Sequence, residues 1–560
     1  MQLHTSPVVL VIAVVASFLI VVPIGFLFFG MFWSSFPGAP GFLTTEFLVE
    51  AFTTPQNLTL LTNTLIFAGG SSFVCLTLAF TLAWIIHRTD TPGRRFFDIL
   101  PLITFMFPSM LGDIAWTFLL SPRVGLVNLG IMNLFGLKEA PFNIYGMGGM
   151  IWSQGLSLTP LAYLLIAGVF GTMDPSLEEA ARASGASTRQ TIFKVTLPLV
   201  MPSLLATGAL IFMIGVNSFE TPTFIGLPAN VFVFMNAIYQ KLSIDVPPNY
   251  GAGTALAFIS LLISSVAVVF YLYSSRRLRR YVVITGKGYR PKAIRLGRRK
   301  YIALGFLLGY VVVGIVLPIF IMLLMSFMRI YSVIGVNILE LLTLDNYAYV
   351  LKENLMITSA LNSFYYAAVA GVLTTVVAAA MSYVAVRSNV KGKRVLEFVS
   401  TMPVAYPGLI FSVALIWTAL FIFRPIYGTS ILLIMAYIVV FLPYAMRALT
   451  NSMIQIHSEL EEAARVSGAS SLAAIRKVAL PLLRPALINT IMLVFIQSYR
   501  QLGAAVLLVT PETFVLPVVI LHWWSSGLLV ALAAGTMVYG GILVVIVMIA
   551  RYGFKASLTF

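Results

Sequence analysis

The sequence predicts an all-α integral membrane protein of about 12 transmembrane helices, arranged as two tandem six-helix units. Three observations carry this. Of the 560 residues, 59% are hydrophobic and only 10% charged, against about 25% charged in a soluble protein. Twelve apolar runs, each near the ~20 residues that cross a bilayer, lie six on either side of a basic stretch. A polar block then recurs almost unchanged in the two flanks, with 17 of 27 positions identical between Glu178–Leu204 and Glu461–Leu487.

The first run, Val8 to Phe32, is too long for a signal-peptide core and follows no Lys or Arg, so it reads as a retained span. The next begin near Asn63, Asp98, Gly146, Val200 and Gly253, and the second set near Tyr301, Asn362, Phe398, Ser430, Leu487 and Leu529. The expected organisation is a first half at 1–275, a basic cytoplasmic linker at 276–300 and a second half at 301–560. With both termini cytoplasmic, 28 of the 35 Lys and Arg residues fall on the cytoplasmic side, as the positive-inside rule requires. The net charge of +16 therefore points to anionic membrane lipid and not to nucleic acid. The linker carries no acid between Arg276 and Lys300.

The repeat has two offsets. The polar block recurs at 283 residues, whereas Asn63/Asn362, Arg88/Arg387, Gly93/Gly392, Arg95/Arg394 and Pro108/Pro407 pair at 299. The difference places about 16 extra residues in the first half, at Ser121 to Tyr145. Within the block, Ser458 and Glu461 have capping-box spacing, Glu461 and Arg465 are an i,i+4 pair, and Gly468 allows a turn. Ser470 is the next cap and Pro481 the expected stop. In the first copy, Asp174 caps with Pro175 at the first helical position, Gly185 turns, Ser187 caps again and Pro198 stops. Each half thus offers two short helices with a small, partly acidic face, suited to binding the same kind of partner twice.

This pattern resembles the signature loop of ATP-binding-cassette importer permeases of type I. It matches as Glu179-Ala180-Ala181, Gly185, Val195 and Leu197-Pro198, and again as Glu462-Ala463-Ala464, Gly468, Val478 and Leu480-Pro481, with Val at the usual Ile position. The resemblance implies that Glu178, Glu179, Ala180, Ala181 and Gly185, with Glu461, Glu462, Ala463, Ala464 and Gly468, couple to two copies of an ATPase subunit on the cytoplasmic face. It also implies an extracytoplasmic substrate-binding protein, location in the inner membrane, and ATP and Mg bound by the ATPase rather than by this chain.

Nothing in the chain itself suggests catalysis. No G-x-x-x-x-G-K-[ST] loop is present, Cys75 is the single cysteine, and His4, His87, His457 and His522 are scattered. No catalytic, cofactor or metal-ligating residue is expected. Ionisable residues inside spans are costly and line cavities or pair together. Asp113, Asn217, Glu220 and Arg500 are therefore the candidate translocation-pathway residues, with packing or an interfacial position as the other reading. Asn217 and Arg500 align at the 283 offset.

Leu120–Asn128 and Phe219–Gly226 resemble segments of the ferric-iron permease group, as does Tyr499-Arg500-Gln501-Leu502-Gly503, although Gln501 stands where that group has Glu. Ferric iron is thus the leading substrate, with thiamine, polyamine or phosphonate on the same architecture as alternatives. A secondary transporter or channel is the alternative of a different class, and the duplicated block argues against it.

Overall fold

The computed structural model describes residues 7–105, 107–173, 176–278, 294–331, 338–388 and 392–553. Among these residues the regular structure is helical apart from three isolated bridges. Ten helices are long and apolar enough to cross a membrane, or twelve if two bent pairs each count as one span. The polar backbone forces this outcome, because only closed hydrogen bonding survives in hydrocarbon.

Two expected spans are not single helices. The run near Phe398 is Lys393–Ala405 followed by Gly408–Ile422, bent by 112°. The run near Asp98 is likewise Arg94–Phe105 followed by Ser109–Leu120. Pro407 and Pro108 sit at the breaks with extended ψ values of 151° and 134°. A proline lacks the N–H that would continue the ladder and pushes its predecessor out of the α region. The leading helices are amphipathic. They begin at Arg94-Arg95 and Lys393-Arg394 and expose Phe96, Ile99, Val395 and Phe398. A further broken pair, Pro222–Ala229 and Phe234–Ile244, bends by 79° and lies beyond the expected spans.

Pro198 and Pro481 do not stop their helices. Each follows a five-residue π turn, Ile192–Thr196 or Ile475–Ala479, that runs on into Leu197–Val216 or Leu480–Tyr499. The same device precedes Leu317-Pro318 at Val312–Val316. A wider turn relieves the clash between a proline ring and the carbonyl four residues back. The extra segment of the first half forms the helix Leu126–Phe135. Buried Asn128 pins it, its Nδ2 donating to the carbonyls of Leu120, Ser121 and Phe142.

The chain forms two compact units, and each draws on both sequence halves. The second-half unit comprises Met1–Thr54, Ile238–Ile259 and Asp345–Phe560. In it Asn354–Arg387 packs against Ser430–Ile454 and Leu480–Tyr499, and Pro7–Gly30 packs on Gly408–Ile422. Trp417 is fully buried there, stacked on Phe421, and its Nε1 donates to Thr254 Oγ1 at 2.9 Å. Gly30 lies so close that a Cβ would run into the indole.

The first-half unit comprises Pro55–Ala237 and Ser260–Leu344. Pro55–Arg88 packs against Met147–Thr172 and Leu197–Val216, and Leu317–Phe327 against Ser109–Leu120. Small residues set the approach. A Cβ on Gly215 would lie 3.0 Å from Ala68 Cα, and one on Gly155 2.8 Å from Val74 Cγ1.

Trp417→Ala removes one of the largest buried side chains of the second-half unit and leaves the Thr254 hydroxyl its bond to the Tyr250 carbonyl but no donor. The expected cost is about 3–5 kcal/mol, read as a lower Tm of the detergent-solubilised chain, with Trp417→Phe falling between the two.

Candidate functional site

The duplicated block folds the same way in both units. Helices Ser176–Ala183 and Glu459–Val466 are short and end at Gly185 and Gly468, which have φ of +87° and +92°. The N–H groups of Gly185 and Ala186 donate to the carbonyls of Arg182 and Ala181, and those of Gly468 and Ala469 to Arg465 and Ala464. These are glycine-terminated helix ends of the ordinary left-handed kind. A Cβ at either glycine would touch nothing within 4 Å, so the glycine is needed for its backbone angle and not for close packing.

Ser187 then forms a capping box with Gln190, and Ser470 accepts from the Ala473 N–H at 3.2 Å. The expected cap at Asp174 and Pro175 lies outside the described residues. Ser458 makes no side-chain cap bond because its backbone is helical, with φ −62° and ψ −27°, and the carboxylate that would complete its box is used elsewhere.

That carboxylate is Glu461, which is 2% exposed and pairs with Arg387, Nε to Oε1 3.3 Å. Tyr383 donates to Glu461 Oε2 at 2.9 Å, and Arg387 Nη2 also reaches the carbonyls of Met453 and Ile456. The first-half unit repeats the arrangement. Buried Glu178 pairs with Arg88, Nε to Oε2 3.6 Å. The Thr196 hydroxyl donates to Glu178 Oε1 at 2.6 Å, and Arg88 Nη2 donates to the Met173 carbonyl at 3.2 Å. Arg88 and Arg387 are the last residues of the two 34-residue helices Pro55–Arg88 and Asn354–Arg387.

Glu178 and Glu461 therefore lie inside their own units and off the exposed face. The expected Glu461–Arg465 pair gives way to Arg387. Of the expected coupling residues, Ala180 and Gly185 are exposed in one copy and Glu462, Ala463 and Gly468 in the other, with Glu179, Ala181 and Ala464 half-buried, and Leu177, Leu460 and Val466 are exposed beside them. The arginines were visible in the sequence as an aligned pair at the 299 offset. Nothing local linked them to the block that repeats at 283.

The four membrane candidates fall into two groups. Asp113, Asn217 and Glu220 belong to the first-half unit and Arg500 to the second-half unit. Asp113 is buried. It accepts from Ser153 Oγ at 2.6 Å, and the Thr221 hydroxyl lies 2.9 Å from its Oδ1. The Thr221 hydroxyl is also 2.8 Å from Gln154 Oε1, which accepts from Ser218 at 2.8 Å. Ser109, at the start of the helix after the Pro108 break, donates to Glu220. Glu220 adjoins Thr221 in the chain, so the two carboxylates, each with its own hydrogen-bond partners, gather around the end of Leu197–Val216 and the broken segment after it. Asn217 caps that helix and accepts from Ser264 Oγ at 2.8 Å. Arg500 caps Leu480–Tyr499 in the matching place. At the positions of Asp113 and Glu220 the second half has Ser412 and Gly503. Among the described residues, no three His, Cys, Asp or Glu side chains are grouped to hold a metal ion.

Replacing Gly468 tests the loop in isolation. Gly468→Val forces a β-branched residue to positive φ, at a cost of about 1–2 kcal/mol or more, whereas Gly468→Asn is tolerated better. Hydrogen exchange across 459–470 of the purified chain is expected to speed up strongly for Val and weakly for Asn.

The family described as "Binding-protein-dependent transport system inner membrane component" matches residues 4–280 and 371–556. The ferric transport system permease protein FbpB of Actinobacillus pleuropneumoniae is 30% identical over 547 residues, covering 95% of this chain and 75% of that protein. The Fe(3+)-transport system permease protein FbpB 2 of Haemophilus influenzae is 23% identical, covering 83% of this chain and 84% of that one. The family match covers both halves, each with its own copy of the glycine-terminated helix. The chain therefore belongs to the binding-protein-dependent inner membrane transport components, as the permease subunit of an ABC importer.

Proposed function

We propose that this permease carries ferric iron inward and is driven by two ATPase subunits on separate chains, which dock on Ser176–Ala183 and Glu459–Val466. The observation that carries the docking reading is the duplicated short helix ending at a positive-φ glycine, with small residues exposed beside it. Ala180 and Ala463 let another backbone approach, and Glu179 and Glu462 offer charge at its edge. ATP and Mg are held by the ATPase, and closure of the ATPase pair moves the docked helices. The positive-inside rule puts these loops, the 276–300 linker and both termini in the cytoplasm. The substrate reading is supported by the ferric-iron permeases that align along most of the chain. The binding protein delivers iron from the outer side. Asp113, Asn217, Glu220 and Arg500 line the route, and oxygen-rich groups such as the Asp113–Glu220 cluster suit a hard cation.

Three outcomes check this reading. In the reconstituted transporter, ATP hydrolysis is expected to rise with iron-loaded binding protein and not with a phosphonate-loaded one. Stimulation by the phosphonate-loaded protein alone would move the substrate reading to that class. Reversing charge in a Glu179→Arg/Glu462→Arg variant is expected to cut ATPase co-purification by about tenfold or more. Arg500→Ala is expected to lower uptake severalfold at unchanged membrane abundance, whereas full uptake would leave Arg500 a packing role.

A further inference from the structure

We infer that Arg88 and Arg387 are positioning residues that link each docking helix to a membrane span. The inference rests on the docking reading above. Each arginine ends a 34-residue apolar helix and holds two other elements at once. One is the glutamate of the short helix, Glu178 or Glu461. The other is the carbonyl end of the span before that helix, at Met173 or at Met453 and Ile456. A guanidinium fork can make these contacts together, and a cation at a helix C-terminus is favoured by the helix dipole. Movement of the short helix therefore pulls on the span through an ion pair from which water is excluded.

Two features argue for transmission over mere stability. First, a buried ion pair is often no more stabilising than a well-packed apolar pair, yet both halves keep one. Second, the halves satisfy the glutamate with different hydroxyls. Thr196 serves Glu178, and the matching position in the second half is Ala479. Tyr383 serves Glu461, and the matching position in the first half is Trp84. The surroundings have diverged while the arginine, the glutamate and one hydroxyl remain in each.

The test uses the complete transporter, with its ATPase and binding protein, in liposomes. The quantity read is ATP hydrolysed per substrate transported. In an Arg88→Gln/Arg387→Gln variant the ATPase is expected to stay bound while this ratio rises about tenfold, a usual size for coupling between sites. If that variant does not accumulate, Arg88→Lys/Arg387→Lys keeps the charge without the fork and is expected to raise the ratio less. The ratio is independent of protein amount, so a purely structural role would leave it unchanged, and that result overturns the inference. Thr196→Ala is expected to raise the ratio, and Trp84→Tyr in the same background to restore it by supplying the hydroxyl as Tyr383 does. Equal uncoupling in both also counts against the inference. If instead Glu179→Arg/Glu462→Arg fails to release the ATPase, the docking reading is what falls.

Discussion

Taking an arginine and a glutamate out of water is expensive unless they meet with good geometry and satisfied neighbours. Each unit buries such a pair at the same place, and much of the local structure follows from it. Arg88 and Arg387 can be buried only where a carboxylate waits, which fixes Glu178 and Glu461 inward. With that residue turned in, helical geometry turns the next ones outward, and Glu462 and Ala463 become exposed. The left-handed glycine then ends the helix after two turns, and Ser187 or Ser470 starts the next element. The exposed face is in this sense the reverse side of a buried ion pair.

Much of the fold was legible in composition, because a bilayer leaves few alternatives. Each apolar run marks a helix, and the 299 offset aligned Pro108 with Pro407 without marking a break at either. The misreadings have separate causes. Hydropathy records that a segment is apolar but not its direction, so two broken helices read as single spans. Ser458 and Glu461 have capping-box spacing, yet a local cap on an exposed turn is weaker than a buried arginine supplied from 74 residues earlier. Pro481 reads as a stop because proline usually is one, and the π turn before it is a backbone adjustment that no residue type announces.

The candidate site was legible to a different degree in its two parts. The two glycine-ended loops stood out because a polar block seldom repeats between apolar helices by chance. The groups around Asp113 did not stand out. Ser153 and Thr221 lie 40 and 108 residues away along the chain, and each is an ordinary residue in its own helix. Only the packing of Ser109–Leu120 against neighbouring helices brings them to one carboxylate.

The Asp113 cluster has a further meaning because the two halves share a chain. In a permease built from two identical subunits, two-fold symmetry duplicates every substitution. An acid introduced on one side appears on the other, and like charges accumulate whether or not the function wants both. Joining the halves by residues 276–300 removes that constraint. The residues that match Asp113 and Glu220 can then be Ser412 and Gly503, and the one that matches Asn217 can be Arg500, while the two glycine-ended loops stay nearly identical. Covalent fusion has thus let the two halves keep one loop in common while their membrane residues diverge in charge.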